Sequence, residues 1–227
     1  MRAMALDRLH LGCGSTTPGS WLNVDGSWQV PLARYPRLKR ALLAAGILTR
    51  SQAAVPWSAR VIRCDLRRRL PFPDASFSAV YCSHTLEHLY HDEGVRLLGE
   101  CLRVLCPAGV CRFVVPDLRS EARRYLDECA RGEARAACAF MDRLRVHDRA
   151  PSRGMRGWYY RLTAYHQHKW MYDAASLAAL FRQVGFAGVR HAECFDSAIR
   201  DIHEIENADR LLHGEGIAVE GVKGIAS

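Results

Sequence analysis

The chain has 227 residues, 49% of them apolar and 25% charged, with a formal net charge of +8 at pH 7. That length fits one domain with elaborations and can bury a sizeable core without staples, and no run of about 18 apolar residues exists to span a bilayer. Only three of the 32 basic residues are lysines (Lys39, Lys169 and Lys223), which leaves 29 arginines spread along the chain, so no phosphate-binding face stands out and nucleic acid is not expected as the main partner.

The N-terminal stretch from Met1 to Asp7 meets a charge at once and has no apolar h-region, so no secretory signal is read and the expected location is the cytoplasm. The nine cysteines are odd in number and include no CxxC pair, which argues for reduced, mostly buried thiols rather than a disulfide framework or a zinc knuckle.

In chain order, Leu9-His10-Leu11 reads as a short strand ending in Gly12-Cys13-Gly14, and Trp21 to Asp25 as a second. Tyr35 to Thr49 reads as a basic amphipathic helix with Leu38, Leu42 and Leu43 on one side, and Arg60 to Asp65 as a third strand. The turn Pro71-Phe72-Pro73-Asp74 precedes strand four, Phe77 to Ser83. Asp92 and Glu93 sit in the first turn of a helix whose apolar positions run from Val95 to Leu105, broken by Pro107-Ala108-Gly109. Val110 to Val115 is strand five, followed by helices at 118–130 and 133–147 and an irregular basic loop at 148–157. Asp173 caps a further helix that Gly185 ends, and Val189 to Phe195 and Gly216 to Lys223 are the last two strands. This alternation predicts a single α/β domain over 1–227 with a largely parallel sheet, and segments 26–58 and 117–170 read as insertions over the strand ends.

Gly12 and Gly14 fall at the carboxyl end of strand one, the ligand edge of an open α/β sheet. A dinucleotide fingerprint would need a third glycine and a helix to hold pyrophosphate. Thr17 and Pro18-Gly19-Ser20 leave almost no room for that helix, which suits an adenosine without phosphate. Asp25, closing strand two, can accept from both ribose hydroxyls, or is a turn aspartate before Gly26. Asp65, closing strand three ahead of Leu66, can meet an adenine amino group, or caps a turn.

These residues resemble class I S-adenosylmethionine-dependent methyltransferases. Leu11-Gly12-Cys13-Gly14 and Leu22-Asn23-Val24-Asp25 look like the first two motifs of that family. The stretch Leu70 to Val80, with Ser78 where an aspartate is usual, resembles its LPFPDxSFDxV segment, and Ser83 to Leu89 is similar to its SxxLEHL stretch. Arg103 to Gly109 resembles RVLKPGG with departures at Cys106 and Ala108; Val114 to Leu118 and His168 to Asp173 resemble the VPDL and HKWMYD of one bacterial subgroup. The resemblance implies a Rossmann-like seven-stranded sheet, mostly parallel with its last strand antiparallel, and helical insertions covering the active site. It also implies S-adenosyl-L-methionine as cofactor, with S-adenosyl-L-homocysteine as product. Contacts carry over onto Gly12, Cys13 and Gly14 for the methionyl part, Asp25 for the ribose, Asp65 and Leu66 for the adenine, and Ser83 near the sulfonium. Members of the subgroup often serve cell-envelope glycan or natural-product pathways, which hints at a small-molecule or glycan acceptor.

Candidate catalytic groups lie after strands four and five and in the second insertion. His84 suits proton transfer near neutral pH, or starts a helix and pairs with Glu87. Asp117 could orient a histidine or bind a substrate hydroxyl, or caps the next helix. His168 matches the subgroup motif. With His166 it forms an HxH pair, but no third ligand is evident and no metal is expected. Glu87 and His88 read as braces between helix and sheet. Trp158, Tyr159, Tyr160 and Tyr165 could wall an acceptor ring or pack the insertion. Arg149, Arg153 and Arg156 could bind an anionic group of the acceptor or remain solvated. The expected reaction is methyl transfer to a hydroxyl or amine of a small molecule or glycan. RNA or protein methylation and an inactive cofactor-binding scaffold are the alternatives.

Overall fold

The computed structural model describes residues 7–147, 167–212 and 216–225. Seven strands make one sheet: β1 (Arg8–Leu11), β2 (Leu22–Asp25), β3 (Ile62–Arg63), β4 (Phe77–Ser83), β5 (Leu105–Pro116), β6 (Ala187–Ala192) and β7 (Gly216–Val222). Their order is β3-β2-β1-β4-β5-β7-β6. β7 runs antiparallel to both β5 and β6, and every other pairing is parallel. The mostly parallel sheet with a reversed last strand is the architecture expected of the sequence.

Strands alternate their side chains between faces, and the two faces are covered differently. Leu9, Leu11, Val80, Cys82, Phe113, Val115 and Val219 share a core with Leu97, Leu98 and Cys101 of α3 (His91–Val104), and with Leu177, Leu180 and Phe181 of the helix Ala174–Val184. Each such aliphatic or aromatic side chain contributes about 1.5–3 kcal/mol on full burial. On the other face Tyr81, Val114 and Ala218 pack with Trp21, Ile199, Ile202 and Ile205. Arg112 of β5 is fully buried there, held by Glu206 at 2.7 and 2.9 Å and by the carbonyls of Glu193 and Asp196 at 2.8 and 2.9 Å. The 193–206 stretch is therefore tied to the sheet by a buried guanidinium as well as by isoleucines.

Between β2 and β3 the chain forms two short helices, α1 (Pro36–Ala44) and α2 (Arg50–Ala54), in place of the single helix expected over 35–49. Gly46 adopts φ +69°, which ends α1, and Thr49 restarts the chain with a capping box to Gln52. Leu38 is exposed and no residue of α1 is fully buried, so its apolar side faces less protein than the periodicity suggests. β3 is shorter than expected, because Val61 closes a turn onto Ser58 and Asp65 opens another.

After β5 come α4 (Leu118–Ala130) and α5 (Ala136–Leu144), joined through Arg143, which reaches Glu121 at 2.6 Å and Glu128 at 3.0 Å. The helix Ala174–Val184, here α6, starts at the Asp173 cap and ends at Gly185 with φ +110°, as the sequence predicts. All nine cysteines are free, and five of them are buried. No helix among the described residues is long and apolar enough to cross a membrane.

Candidate functional site

The carboxyl ends of β1, β2 and β4 open onto a cavity of about 850 Å³. Its floor is the turn after β1. Gly12 and Gly14 take φ +62° and +53°, a region that L side chains rarely adopt, and this curls the chain so that Cys13 N–H donates to the Val24 carbonyl at 3.1 Å. A Cβ on Gly12 would lie 2.0 Å from Thr85 Oγ1, whereas one on Gly14 would meet nothing within 4 Å. The first glycine is thus a packing requirement and the second leaves open space. No helix forms between β1 and β2, so the turn offers backbone and room without a helix N-terminus for a phosphate.

Asp25 closes β2 beside this turn. Its Oδ2 accepts from Gly14 N–H at 2.9 Å and its Oδ1 from Ser27 N–H at 2.8 Å. Burial pushes its pKa up, and the two N–H donors pull against that shift. Each oxygen keeps a lone pair for an outside donor. Asp65 also lines the cavity, but Arg67 holds it at 2.9 Å and Arg68 at 3.5 Å; the Arg67 hydrogen bond lowers its pKa. Burial pushes the Cys13 thiol up to about 12, so it stays protonated and is no nucleophile at neutral pH.

The far end of the cavity is built by the turn after β4. Ser83 is buried and its Oγ accepts from Arg210 at 3.3 Å. His84 follows with φ +50°, a strained backbone for a non-glycine residue. Its Nδ1 lies 3.5 Å from Glu87 Oε1. All seven residues expected to hold the cofactor, together with His84, line this one cavity.

The other two catalytic candidates are placed elsewhere. Asp117 does not line the cavity; its carboxylate accepts from Arg119 N–H at 3.0 Å, Ser120 N–H at 3.2 Å and Ser120 Oγ at 2.5 Å, capping α4. His168 is buried behind the wall, with its ring edge-on to His88 at 5.0 Å between centroids. Burial lowers its pKa. His166, the aromatic residues 158–165, and Arg149, Arg153 and Arg156 lie outside the described residues, as does the 148–157 loop.

Several lining residues were not singled out by sequence. Trp28, Gln29, Gln52 and Trp57 come from the segment between β2 and β3, and Arg210 from the segment before β7. Nothing local marks them: their role depends on distant stretches folding over one sheet edge. Arg210 faces the glycine turn, sharing a small side pocket with His10, Cys13 and Thr16.

Residues 9–113 match the family model described as a methyltransferase domain, a stretch that runs from β1 into β5. Among solved structures, the YcgJ protein of Bacillus subtilis is 16% identical with a TM-score of 0.50, over 96% of this chain and 92% of that one. A SAM dependent methyltransferase from Archaeoglobus fulgidus is 16% identical with a TM-score of 0.47, over 95% and 85% of the two chains. At 16% identity the likeness to the YcgJ protein is one of fold. No curated protein matches the chain in sequence.

Proposed function

We propose that this chain is an S-adenosylmethionine-dependent methyltransferase, a reading that the methyltransferase-domain model over residues 9–113 supports, and that it transfers the methyl group to a hydroxyl or amine of a small molecule or glycan. The observation that carries this reading is the single continuous cavity. It joins the glycine turn, Asp25 and Asp65 at one end to Ser83, His84 and His88 at the other. Its volume, about 850 Å³, is that of a site for a small ligand pair rather than an open macromolecular groove.

The residues suit the cofactor's chemistry. Asp25 has an open lone pair on each oxygen for the two ribose hydroxyls. The Gly12–Gly14 turn admits a chain close to its backbone, and the lack of a following helix fits a nucleoside without phosphates. Leu66 offers an apolar contact and Asp65 an acceptor for the adenine. Arg210, opposite the turn, is placed to pair with the methionyl carboxylate.

When bound, the cofactor supplies a methyl carbon on a sulfonium, and the protein supplies position and charge. The C–S bond breaks with its electron pair on sulfur as the acceptor oxygen or nitrogen forms the new bond to carbon. In-line alignment accounts for most of the acceleration. For a hydroxyl acceptor, His84 takes the proton released, and the Glu87 carboxylate 3.5 Å from its Nδ1 steadies the charged ring. The described residues of 117–170 contribute none of the cavity lining, so we assign Asp117 to the cap of α4 and not to the reacting groups.

Calorimetric titration with S-adenosylmethionine, S-adenosylhomocysteine and NAD tests the reading, with Asp25→Ala alongside. Binding of the two sulfur compounds alone, weakened about tenfold or more in the variant, is expected, since a hydrogen bond to a charged group is worth about 1.5–3 kcal/mol. Binding of neither would put the inactive-scaffold reading first. Turnover on an RNA or protein but on no small acceptor would replace the acceptor class.

A further inference from the structure

Beneath the turn that carries His84 lies the buried carboxylate of Glu87. Glu87 is 1% exposed, and neither side-chain oxygen has a hydrogen-bond partner among the described residues. A buried carboxylate in that state is costly unless a cation or proton meets it. No arginine or lysine among the described residues does so. Imidazoles surround it instead. His84 Nδ1 lies 3.5 Å and His88 Nε2 4.0 Å from Glu87 Oε1, and His168 packs against His88. Glu87, His88 and His168 each place one ligand-capable atom within 4.8 Å of the other two.

The outer hydrogen bond of His88 says what faces inward. His88 Nδ1 is 3.1 Å from the Gln167 carbonyl oxygen, which only accepts, so that nitrogen carries the proton and Nε2 turns a lone pair toward Glu87. His168 Nδ1 is buried without a hydrogen-bond partner among the described residues. The His88 lone pair therefore faces the carboxylate, with the unpartnered His168 Nδ1 beside them and no hydrogen-bond donor to the Glu87 side chain among the described residues. One proton bridges a single pair and leaves the third group unmet. A divalent ion meets all three, and a histidine whose second nitrogen is fixed by a backbone carbonyl, as in His88, is oriented as metal ligands are. The cluster is also set by main chain: Lys169 and Trp170 N–H both donate to the Glu87 carbonyl, at 2.6 and 3.2 Å, pinning the His168 segment to the turn.

We propose that Glu87, His88 and His168 bind a divalent first-row transition metal, zinc by preference. Two imidazoles and one carboxylate are a ligand set of catalytic zinc, which leaves positions open, whereas magnesium and calcium take oxygen ligands. Zinc bonds to such ligands run about 2.0–2.2 Å, and the three ligand-capable atoms already lie within 4.8 Å of one another. His88 lines the cavity, and Glu87 and His168 are buried behind it. Resting on the methyltransferase reading, Glu87, His88 and His168 would hold the ion beside the acceptor end, where its charge would make a nearby acceptor hydroxyl more acidic and favour loss of its proton to His84. Of the HxH pair only His168 lies within the described residues, and the fold brings it to Glu87 and His88 of the turn after β4.

The test is Co²⁺ titration of the full chain after stripping with a chelator, followed by displacement with Zn²⁺. One equivalent of cobalt with visible bands of nitrogen and oxygen coordination, displaced by zinc, is expected. Glu87→Gln and His168→Gln should each weaken binding about tenfold or more, with circular dichroism confirming the fold. Should either variant fail to fold, the wild-type cobalt spectrum decides. No stoichiometric binding, or intense near-ultraviolet thiolate bands that place the ion on cysteines, would overturn the site. So would unchanged affinity in the folded variants. S-adenosylmethionine titration of the same stripped sample separates the two readings. Binding there with no metal uptake refutes the metal site alone, and no cofactor binding with or without zinc refutes the methyltransferase reading itself.

Discussion

Gly12 and Thr85 pack so closely that a methyl on the glycine would sit 2.0 Å from the threonine hydroxyl. The end of β1 is thereby pressed onto the turn after β4, which brings the proposed nucleoside and acceptor halves of the cavity to one edge. Gly12→Ala has to shift Thr85 and also hold a φ near +62°, a conformation that costs an L residue about 1–3 kcal/mol. Urea unfolding should show a loss above that range, and Thr85→Gly in the same chain should recover the steric part. Gly14→Ala meets no neighbour and should lose only the backbone portion. Equal losses for the two alanines would contradict the packing account.

Arg112 and Glu206 form an ion pair at 2.7 Å with both side chains buried. The arginine also faces Glu220 at 3.6 Å. Removing the cation leaves buried carboxylates uncompensated, for which about 3–5 kcal/mol is typical. Arg112→Met should lower the denaturant midpoint accordingly. It should also weaken cofactor binding, because the 193–206 stretch it anchors leads to Arg210. A midpoint shift worth less than about 1 kcal/mol, within the range of exposed ion pairs, would show that this network adds little.

His10 makes folding pH-dependent. It is buried on β1, and desolvation, aided by the charge of Arg210, pushes its pKa down to about 4 from 6.5. The unfolded chain takes up this proton near 6.5 and the folded chain only near 4, so between them the unfolded state binds more protons. Stability is therefore full above the unfolded value and falls as pH drops toward 4, by about 3 kcal/mol from this group. His10→Gln should flatten that part of the slope when urea midpoints are compared between pH 7 and 4.5. Parallel slopes for the two proteins would assign the acid loss to carboxylates.

Much of the fold was legible because its signals are local. β4 over Phe77–Ser83 and α4 over Leu118–Ala130 fall where the sequence places them: a β-rich run is bounded by Ser76 and the turn at His84, and Pro116-Asp117 stops a strand and caps a helix. The cavity's glycine turn and Asp25 were legible for the same reason, since backbone freedom and a strand-end carboxylate show in short motifs. Gly46 was the local clue that broke the 35–49 helix, outweighed by the leucine spacing around it. Arg210, Trp57 and the meeting of Glu87 with His168 were not legible. Each is made by chain brought from far away, and reading Glu87 as a brace between helix and sheet does not show that its carboxylate meets His168.

The two catalytic candidates nearest the sheet edge should separate cleanly on substitution. His84 lines the cavity and Asp117 spends its carboxylate on the first turn of α4. Asp117→Ala removes a helix cap, a change worth about 0.5–2 kcal/mol of stability, and leaves the cavity lining untouched. Turnover per folded molecule should then stay at the wild-type level. His84→Gln keeps the size of the side chain but cannot take a proton. With a hydroxyl acceptor it should lower kcat by about 10²–10⁴-fold with little change in cofactor affinity. With an amine acceptor already deprotonated at the assay pH, the loss should be small. The measurement is methyl incorporation from labelled cofactor across a panel of small hydroxyl and amine acceptors, with folded fractions fixed by denaturant midpoints. A kcat loss in Asp117→Ala exceeding its loss of folded protein would move that carboxylate into the reaction. An unchanged kcat in His84→Gln with a hydroxyl acceptor would remove the histidine from it.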